Sequence, residues 1–317
     1  MPNKNNEIII RVDKVSKKFG RQRVVRGVSF DITKNSITGL IGSNGAGKTT
    51  TLNMLTGLLL PTTGKIEVFG MDIIENIEEI RRRIAFIPQE ISLYKNLTVK
   101  ENLNFFGGMY IANKKKLEKR IKEVARLLEI KGKTEEKLMN LSGGYQRRAS
   151  IACAIISNPE ILILDEPLAG VDVRTVDVVM NYIKNLNDVT IIFTSHSLRR
   201  LEEICDNLIF LDEGKKVLEG SPSDLMAKYS KRFGEKIVVT FFDERTANRA
   251  GELIDKKRKQ FPKIKKEIDG RDLIIQTRTV DFGVVEILSA FKSLRKEIKN
   301  IDIKKVSVKN ILNYIQK

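Results

Sequence analysis

Cysteine is scarce in this 317-residue chain, long apolar runs are missing, and acidic residues are outnumbered. Cys153 and Cys205 lie in apolar, helix-like settings without metal-ligand spacing. They read as reduced core residues of a cytosolic protein, which excludes a fold built on disulfides. Apolar runs such as Ile161–Leu164 last only a few residues, whereas a membrane span needs ~18. The N-terminus, Met1-Pro2-Asn3-Lys4-Asn5-Asn6, is polar and lacks the apolar core of a signal peptide. Against 40 Asp/Glu stand 57 Lys/Arg, a net charge of +17. From Lys231 onward 22 Lys/Arg face 12 Asp/Glu, so +10 of that charge falls in the last stretch. A basic chain suits nucleic acid or an anionic membrane surface. A solvated, lysine-rich surface accounts for the same numbers.

What the chain does contain is Gly42-Ser43-Asn44-Gly45-Ala46-Gly47-Lys48-Thr49-Thr50. The apolar run Ile37–Ile41 before it reads as a short buried strand. Leu52, Met54, Leu55 and Leu58 after it suit a helix that starts near Gly47. Strand, glycine-rich turn, Lys-Thr and helix form the setting of a phosphate-binding loop. Glycines let the backbone turn its N–H groups inward, and the helix N-terminus favours an anion. Lys48 can reach outer phosphates, and the Thr49 hydroxyl can ligate Mg²⁺. An ordinary glycine-rich turn would satisfy only part of this pattern, so a nucleoside triphosphate is the expected ligand.

Other stretches fall in line with that loop. Ile8–Val12 and Val28–Ile32 read as strands, with Phe19 on the turn between them. Phe19 offers a ring for adenine to stack on, and ordinary packing fits it equally well. Arg83–Gln89 is an apolar strand that stops at Pro88, leaving the Gln89 amide oxygen free to hold Mg²⁺ or a water. Residues 95–156 turn mostly helical; Leu117, Ile121, Val124 and Leu128 mark one amphipathic helix over 115–130. Ser142 is an N-cap candidate, and Gly143-Gly144 opens a second helix as another phosphate cradle. Ile161–Leu164 is apolar throughout, as a parallel strand buried on both faces would be, and ends in Asp165-Glu166. Val189–Ser195 repeats the design and ends in His196, the chain's only histidine. Strand C-terminal ends are where open α/β sheets bind ligands. From about Lys236 the pattern restarts: strand 237–242, helix 244–260, strands 266–269 and 273–276, helix 284–291, strand 301–306 and helix 308–315.

Taken in order, the Gly42–Thr50 loop, Gln89, Leu141-Ser142-Gly143-Gly144, Asp165-Glu166, Leu168–Asp172 and His196 make residues 7–225 resemble the ATP-binding subunit of an ABC transporter. Tyr145 stands where many members have glutamine, and Phe19 where tyrosine is common. The C-terminal segment is similar to the small domain of ABC-2 type exporter ATPases. This resemblance implies an α/β fold: a P-loop NTPase of the ABC ATPase kind, with a RecA-like core, an antiparallel β subdomain and a helical subdomain at about 90–156. It implies an ATP-binding domain over 1–228, a linker over 229–236 and a small α+β accessory domain over 237–317. The resemblance also implies that ATP meets Phe19, Gly42, Ser43, Asn44, Gly45, Ala46, Gly47, Lys48, Thr49 and Thr50. Ser142, Gly143 and Gly144 of a second subunit would complete the γ-phosphate cage. Mg²⁺ would be held by Thr49, Gln89 and Asp165, and Glu166, His196 and Gln89 would serve catalysis. The implied partners are a second ATPase subunit, as a homodimer, and a separate integral membrane permease on whose cytoplasmic face the chain sits. Ile91–Tyr94 would dock that permease, or else be helical-subdomain core. Export is the implied direction, and nucleic acid is not an expected partner. The competing class is a soluble ABC ATPase acting on ribosomes, on nucleic acid or in cofactor assembly; only the basic C-terminal stretch argues for its nucleic-acid branch.

Overall fold

In the computed structural model, which describes residues 7–186, 188–195, 198–233, 235–256, 264–277, 289, 291–304 and 310–311, the chain divides into two units, Met1–Ser221 and Pro222–Lys317. The first opens with a long hairpin, β1 (Ile8–Phe19) and β2 (Gln22–Thr33). Both strands run further than the expected 8–12 and 28–32. Their pairing slips register after Val12 and again after Val15, so the buried and exposed positions stop alternating and the sequence signal fades. Strand β3 (Ile37–Ile41) leads through the glycine loop into helix α1 (Lys48–Leu55). Strands β4 (Thr63–Val68) and β5 (Met71–Asp72) return to the hairpin sheet, whose order is β2-β1-β4-β5.

Helix α2 (Ile77–Arg83) then delivers the chain to β6 (Ile84–Ile87). Helices α3 (Val99–Gly108), α4 (Lys114–Leu127) and α5 (Gly143–Ile155) occupy the stretch expected to be helical. A full capping box starts α3: the Glu101 N–H donates to the Thr98 hydroxyl oxygen, and the Glu101 carboxylate accepts the Thr98 N–H. Leu117, Ile121 and Val124 form the buried face of α4, as their spacing predicts. Strand β7 (Ile161–Leu164), helix α6 (Val173–Lys184), strand β8 (Thr190–Thr194) and helix α7 (Leu198–Ile204) follow. Strands β9 (Asn207–Asp212) and β10 (Lys215–Gly220) close the unit as a hairpin.

The central sheet has the order β10-β9-β3-β8-β7-β6. Strands β9, β3, β8, β7 and β6 are mutually parallel, and only β10 is antiparallel. Every residue of β7 and β8 is buried, which explains their unbroken apolar or Thr-capped sequences. One core unites the two sheets: Ile10, Val12 and Ile66 of the hairpin sheet share it with Leu52 of α1, Ile163 of β7 and Ile209 of β9. Because the inner strands are parallel, the ends of β3, β6, β7 and β8 emerge at one edge. That edge collects the glycine loop, Gln89, Asp165-Glu166 and Ser195. Cys153 and Cys205 are both buried and unpaired; burial pushes the Cys153 thiol up to about 12 and the Cys205 thiol higher still.

The second unit begins with α8 (Pro222–Phe233), followed by β11 (Glu235–Phe241) and α9 (Glu244–Lys256). Residues 229–236, expected as a linker, are therefore mostly the end of α8 and the start of β11. Strands β12 (Lys265–Asp269), β13 (Asp272–Thr277) and β14 (Ile298–Lys304) complete an antiparallel sheet of order β12-β13-β11-β14. Helix α9 lays Ala247, Ala250 and Ile254 on a core with Val239, Phe241 and Phe291. The helix expected over 284–291 and the one over 308–315 lie almost wholly outside the described residues. Phe241 and Phe291 meet edge to face at 6.0 Å and are fully buried. Phe241→Ala is expected to destabilise this unit by about 3–5 kcal/mol, read as faster hydrogen exchange of the β11 amides.

Candidate nucleotide site

A cleft of ≈ 370 Å³ opens at the shared strand edge, lined among others by Asn44, Gly45, Lys48, Thr49, Gln89 and Glu166. The loop at its floor is shaped by close approach. A Cβ on Gly42 would stand 2.4 Å from the Leu211 carbonyl oxygen, so only glycine passes β9 there. Gly47 takes φ 95° and is the N-cap of α1, with no side-chain cap on the first-turn N–H groups. A helix start left without a side-chain cap suits an anion such as phosphate.

Lys48 is buried and donates from Nζ to the Gly42 and Ser43 carbonyls at 2.9 and 3.0 Å. Burial lowers its pKa from the ordinary lysine value, and the nearby Glu166 and Asp165 charges pull the other way. The ammonium is thus held inside the loop it serves.

Asp165 and Glu166 sit differently, although adjacent. Asp165 is 1% exposed, and its Oδ1 accepts a hydrogen bond from the Thr194 hydroxyl at 2.7 Å. The Thr194 oxygen in turn accepts the Glu166 N–H at 2.8 Å. One hydroxyl at the end of β8 therefore fixes the turn after β7. Glu166 lines the cleft, with φ 46° in the left-handed region. A non-glycine residue there carries strain on the order of 1–3 kcal/mol, and Pro167 beyond it disfavours helical backbone at Glu166.

The other expected site residues are distributed around this centre. Gln89 and Thr49 line the cleft and are exposed. Ser43 is exposed and Ala46 buried within the same loop. Phe19, at the end of β1, is 45% exposed and outside the lining, with the Lys17 ammonium 5.3 Å from its ring centre. Ser142 and Gly143 are exposed at the start of α5 and do not line the cleft. Ser142 occupies the N-cap position, but its side chain makes no capping hydrogen bond. Gly144 is buried, and a Cβ there would come within 2.2 Å of Asp172 Oδ2. His196 lies outside the described residues. Among the described residues, no cluster of three or more His, Cys, Asp or Glu could hold a metal by itself. Thr49, Gln89 and Asp165 are nonetheless hard oxygen donors of the kind Mg²⁺ takes together with substrate phosphates.

Two residues near the site went unread in the sequence. In the sequence Thr194 is one more strand residue, and Arg147 carries no local signal of its own. Only the fold brings them to the Asp165-Glu166 turn.

Comparison with known proteins agrees with this geometry. The ABC transporter family profile matches residues 25–169. The linearmycin resistance ATP-binding protein LnrL of Bacillus subtilis is 35% identical over 222 residues, 69% of this chain and 71% of the relative. The Nod factor export ATP-binding protein I of Paraburkholderia xenovorans is 38% identical over 226 residues, 70% of this chain and 73% of the relative. Among solved structures, an ATP-binding subunit of an ABC transporter superposes with a TM-score of 0.65 at 27% identity, over 70% of this chain and 93% of its own. A dimeric, post-hydrolysis ATP-binding cassette bound to ADP and Pi gives 0.62 at 26% identity, over 67% and 98%. Similarity on this scale, over the stretch that builds the cleft, makes the chain a member of the ABC transporter family, its ATP-binding and ATP-hydrolysing subunit.

Proposed function

We propose that two copies of this chain close head to tail on two ATP molecules and so drive a separate membrane permease in export. The observation that carries this reading is the split between the cleft and Ser142-Gly143. Lys48, Gln89 and Glu166 share one cleft, whereas the exposed signature glycine and serine point to a second copy as their user. A dimeric relative bound to ADP and Pi supports the arrangement. Closing such a cage positions the phosphates and neutralises their charge, which is most of what phosphoryl transfer requires.

Within each cleft the residues divide the work. The Lys48 ammonium exchanges the Gly42 and Ser43 carbonyls for phosphate oxygens. Thr49, Asp165 and Gln89 would hold Mg²⁺, which would supply charge neutralisation on the outer phosphates. Glu166 accepts the proton of the attacking water, and its backbone is fixed by Thr194. Phe19 stacks on adenine once Lys17 gives up its ring. His196 contacts the γ-phosphate.

The permease surface is the exposed apolar face on the helical segment of the first unit. Tyr94 is 50% exposed, Phe105 44% and Met109 62%, while Tyr94 also packs edge-on to Phe105 at 5.0 Å. That exposure favours docking over a core role for Tyr94. Among the described residues no helix is long and apolar enough to cross a membrane, so the membrane path belongs to the partner. Export is taken from the named roles of the relatives in Nod factor export and linearmycin resistance. The second unit acts as an accessory domain.

A tagged Glu166→Gln chain, incubated with ATP and recovered from mildly solubilised membranes, is expected to bring down a stoichiometric multi-span protein. Recovery of ribosomal proteins, nucleic acid or soluble enzymes instead would overturn the transport assignment and leave the ATPase chemistry standing.

A further inference from the structure

We infer that Arg147 is a positioning residue for ATP hydrolysis: its guanidinium ties the Gln89 loop to the Glu166 turn and holds Glu166 in place. The inference rests on the reading of Glu166 given above. A guanidinium has five N–H groups, and here there are five backbone carbonyl acceptors. Nη1 donates to Pro88 at 2.8 Å and to Gln89 at 3.2 Å. Nη2 donates to Asp165 at 3.1 Å and to Glu166 at 2.9 Å. Nε donates to Pro167 at 2.9 Å.

Two loops supply those acceptors, one after β6 and one after β7. The strands need no such help, since Ile87 and Leu164 are paired in the sheet and the Asp165 N–H donates to the Ile87 carbonyl. Beyond that last sheet bond, Arg147 bonds directly to both loops. It grips the carbonyls of Asp165, Glu166 and Pro167, bracketing the residue whose φ of 46° is strained. Arg147 is 3% exposed, so its hydrogen bonds do not compete with water. It also belongs to α5, the helix opened by Ser142–Gly144. Displacement of the Gln89 loop or of α5 therefore reaches the Glu166 backbone through one planar group. Lysine cannot replace it: an ammonium has three N–H groups around one atom and cannot span both loops.

The test measures steady-state ATPase activity, nucleotide affinity and thermal melting of Arg147→Lys, alone and combined with Glu166→Gln. A loss of kcat of about tenfold or more is expected for Arg147→Lys, with KM for ATP changed by less than about threefold, as when a transition-state contact is lost. In the Glu166→Gln background the same substitution is expected to add less than about a twofold further loss, because both act through one group. Where Arg147→Lys folds poorly, Arg147→Ala with millimolar methylguanidinium replaces it; partial return of kcat with methylguanidinium, and none with methylammonium, supports the inference. Full kcat in Arg147→Lys, losses that multiply in the double variant, or equal rescue by both cations overturns it. Near-normal turnover of Glu166→Gln alone would instead sink the base assignment, an outcome separable from the Arg147→Lys result.

Discussion

Glu166→Gln is expected to keep ATP bound and to slow turnover by about 10²–10⁴-fold, the usual contribution of a positioned general base. The change is close to isosteric. The Glu166 N–H still reaches Thr194, and its carbonyl still accepts from Arg147, because both bonds are made by the backbone. The phosphate contacts come from the Gly42–Thr50 loop, which the substitution does not touch. The carboxylate that accepts the proton in the cleft is lost. Calorimetry and a phosphate-release assay on the same preparation separate binding from turnover. Near-normal turnover would remove Glu166 from the base role.

The second large effect belongs to Lys48. Lys48→Ala is expected to weaken ATP binding by about 10- to 100-fold, since charge-assisted hydrogen bonds contribute about 1.5–3 kcal/mol and ~1.4 kcal/mol is tenfold. Burial lowers the pKa of Lys48 despite the opposing pull of Glu166 and Asp165. The charged form is the one that binds phosphate. Affinity is therefore expected to fall as pH rises through a pKa below the ordinary lysine value. In Lys48→Ala that alkaline fall is expected to vanish. Unchanged binding by calorimetry would count against the phosphate-loop assignment, and an alkaline fall that survives the substitution would assign it to another group.

Much of this site was legible in the sequence because its parts are local. A glycine loop, a glutamine after a strand and a carboxylate pair after a buried strand each fit within a few residues, and the parallel sheet does the gathering. What escaped notice depends on long-range partners. Arg147 reaches carbonyls 59 and 18 residues away, and nothing in its own neighbourhood signals that it is buried. Thr194 passes for an ordinary strand residue until the β7 turn is laid beside it. Helix α2 is illegible for a different reason: it has 7 residues and buries only Ile80, too few for an amphipathic period to show. The reach of β1 to Phe19 was hidden by register shifts that break the alternation.

The two thiols described with the core have a practical reach beyond folding. Cys153 and Cys205 are buried, and both are held well above the usual thiol range, so neither is a ready nucleophile near neutral pH. Cysteines introduced at the exposed positions Asn44 and Ser142 would then be the reactive sulfurs of the chain. Bismaleimide bridging between them could time the closing of one subunit on another in the native-cysteine background.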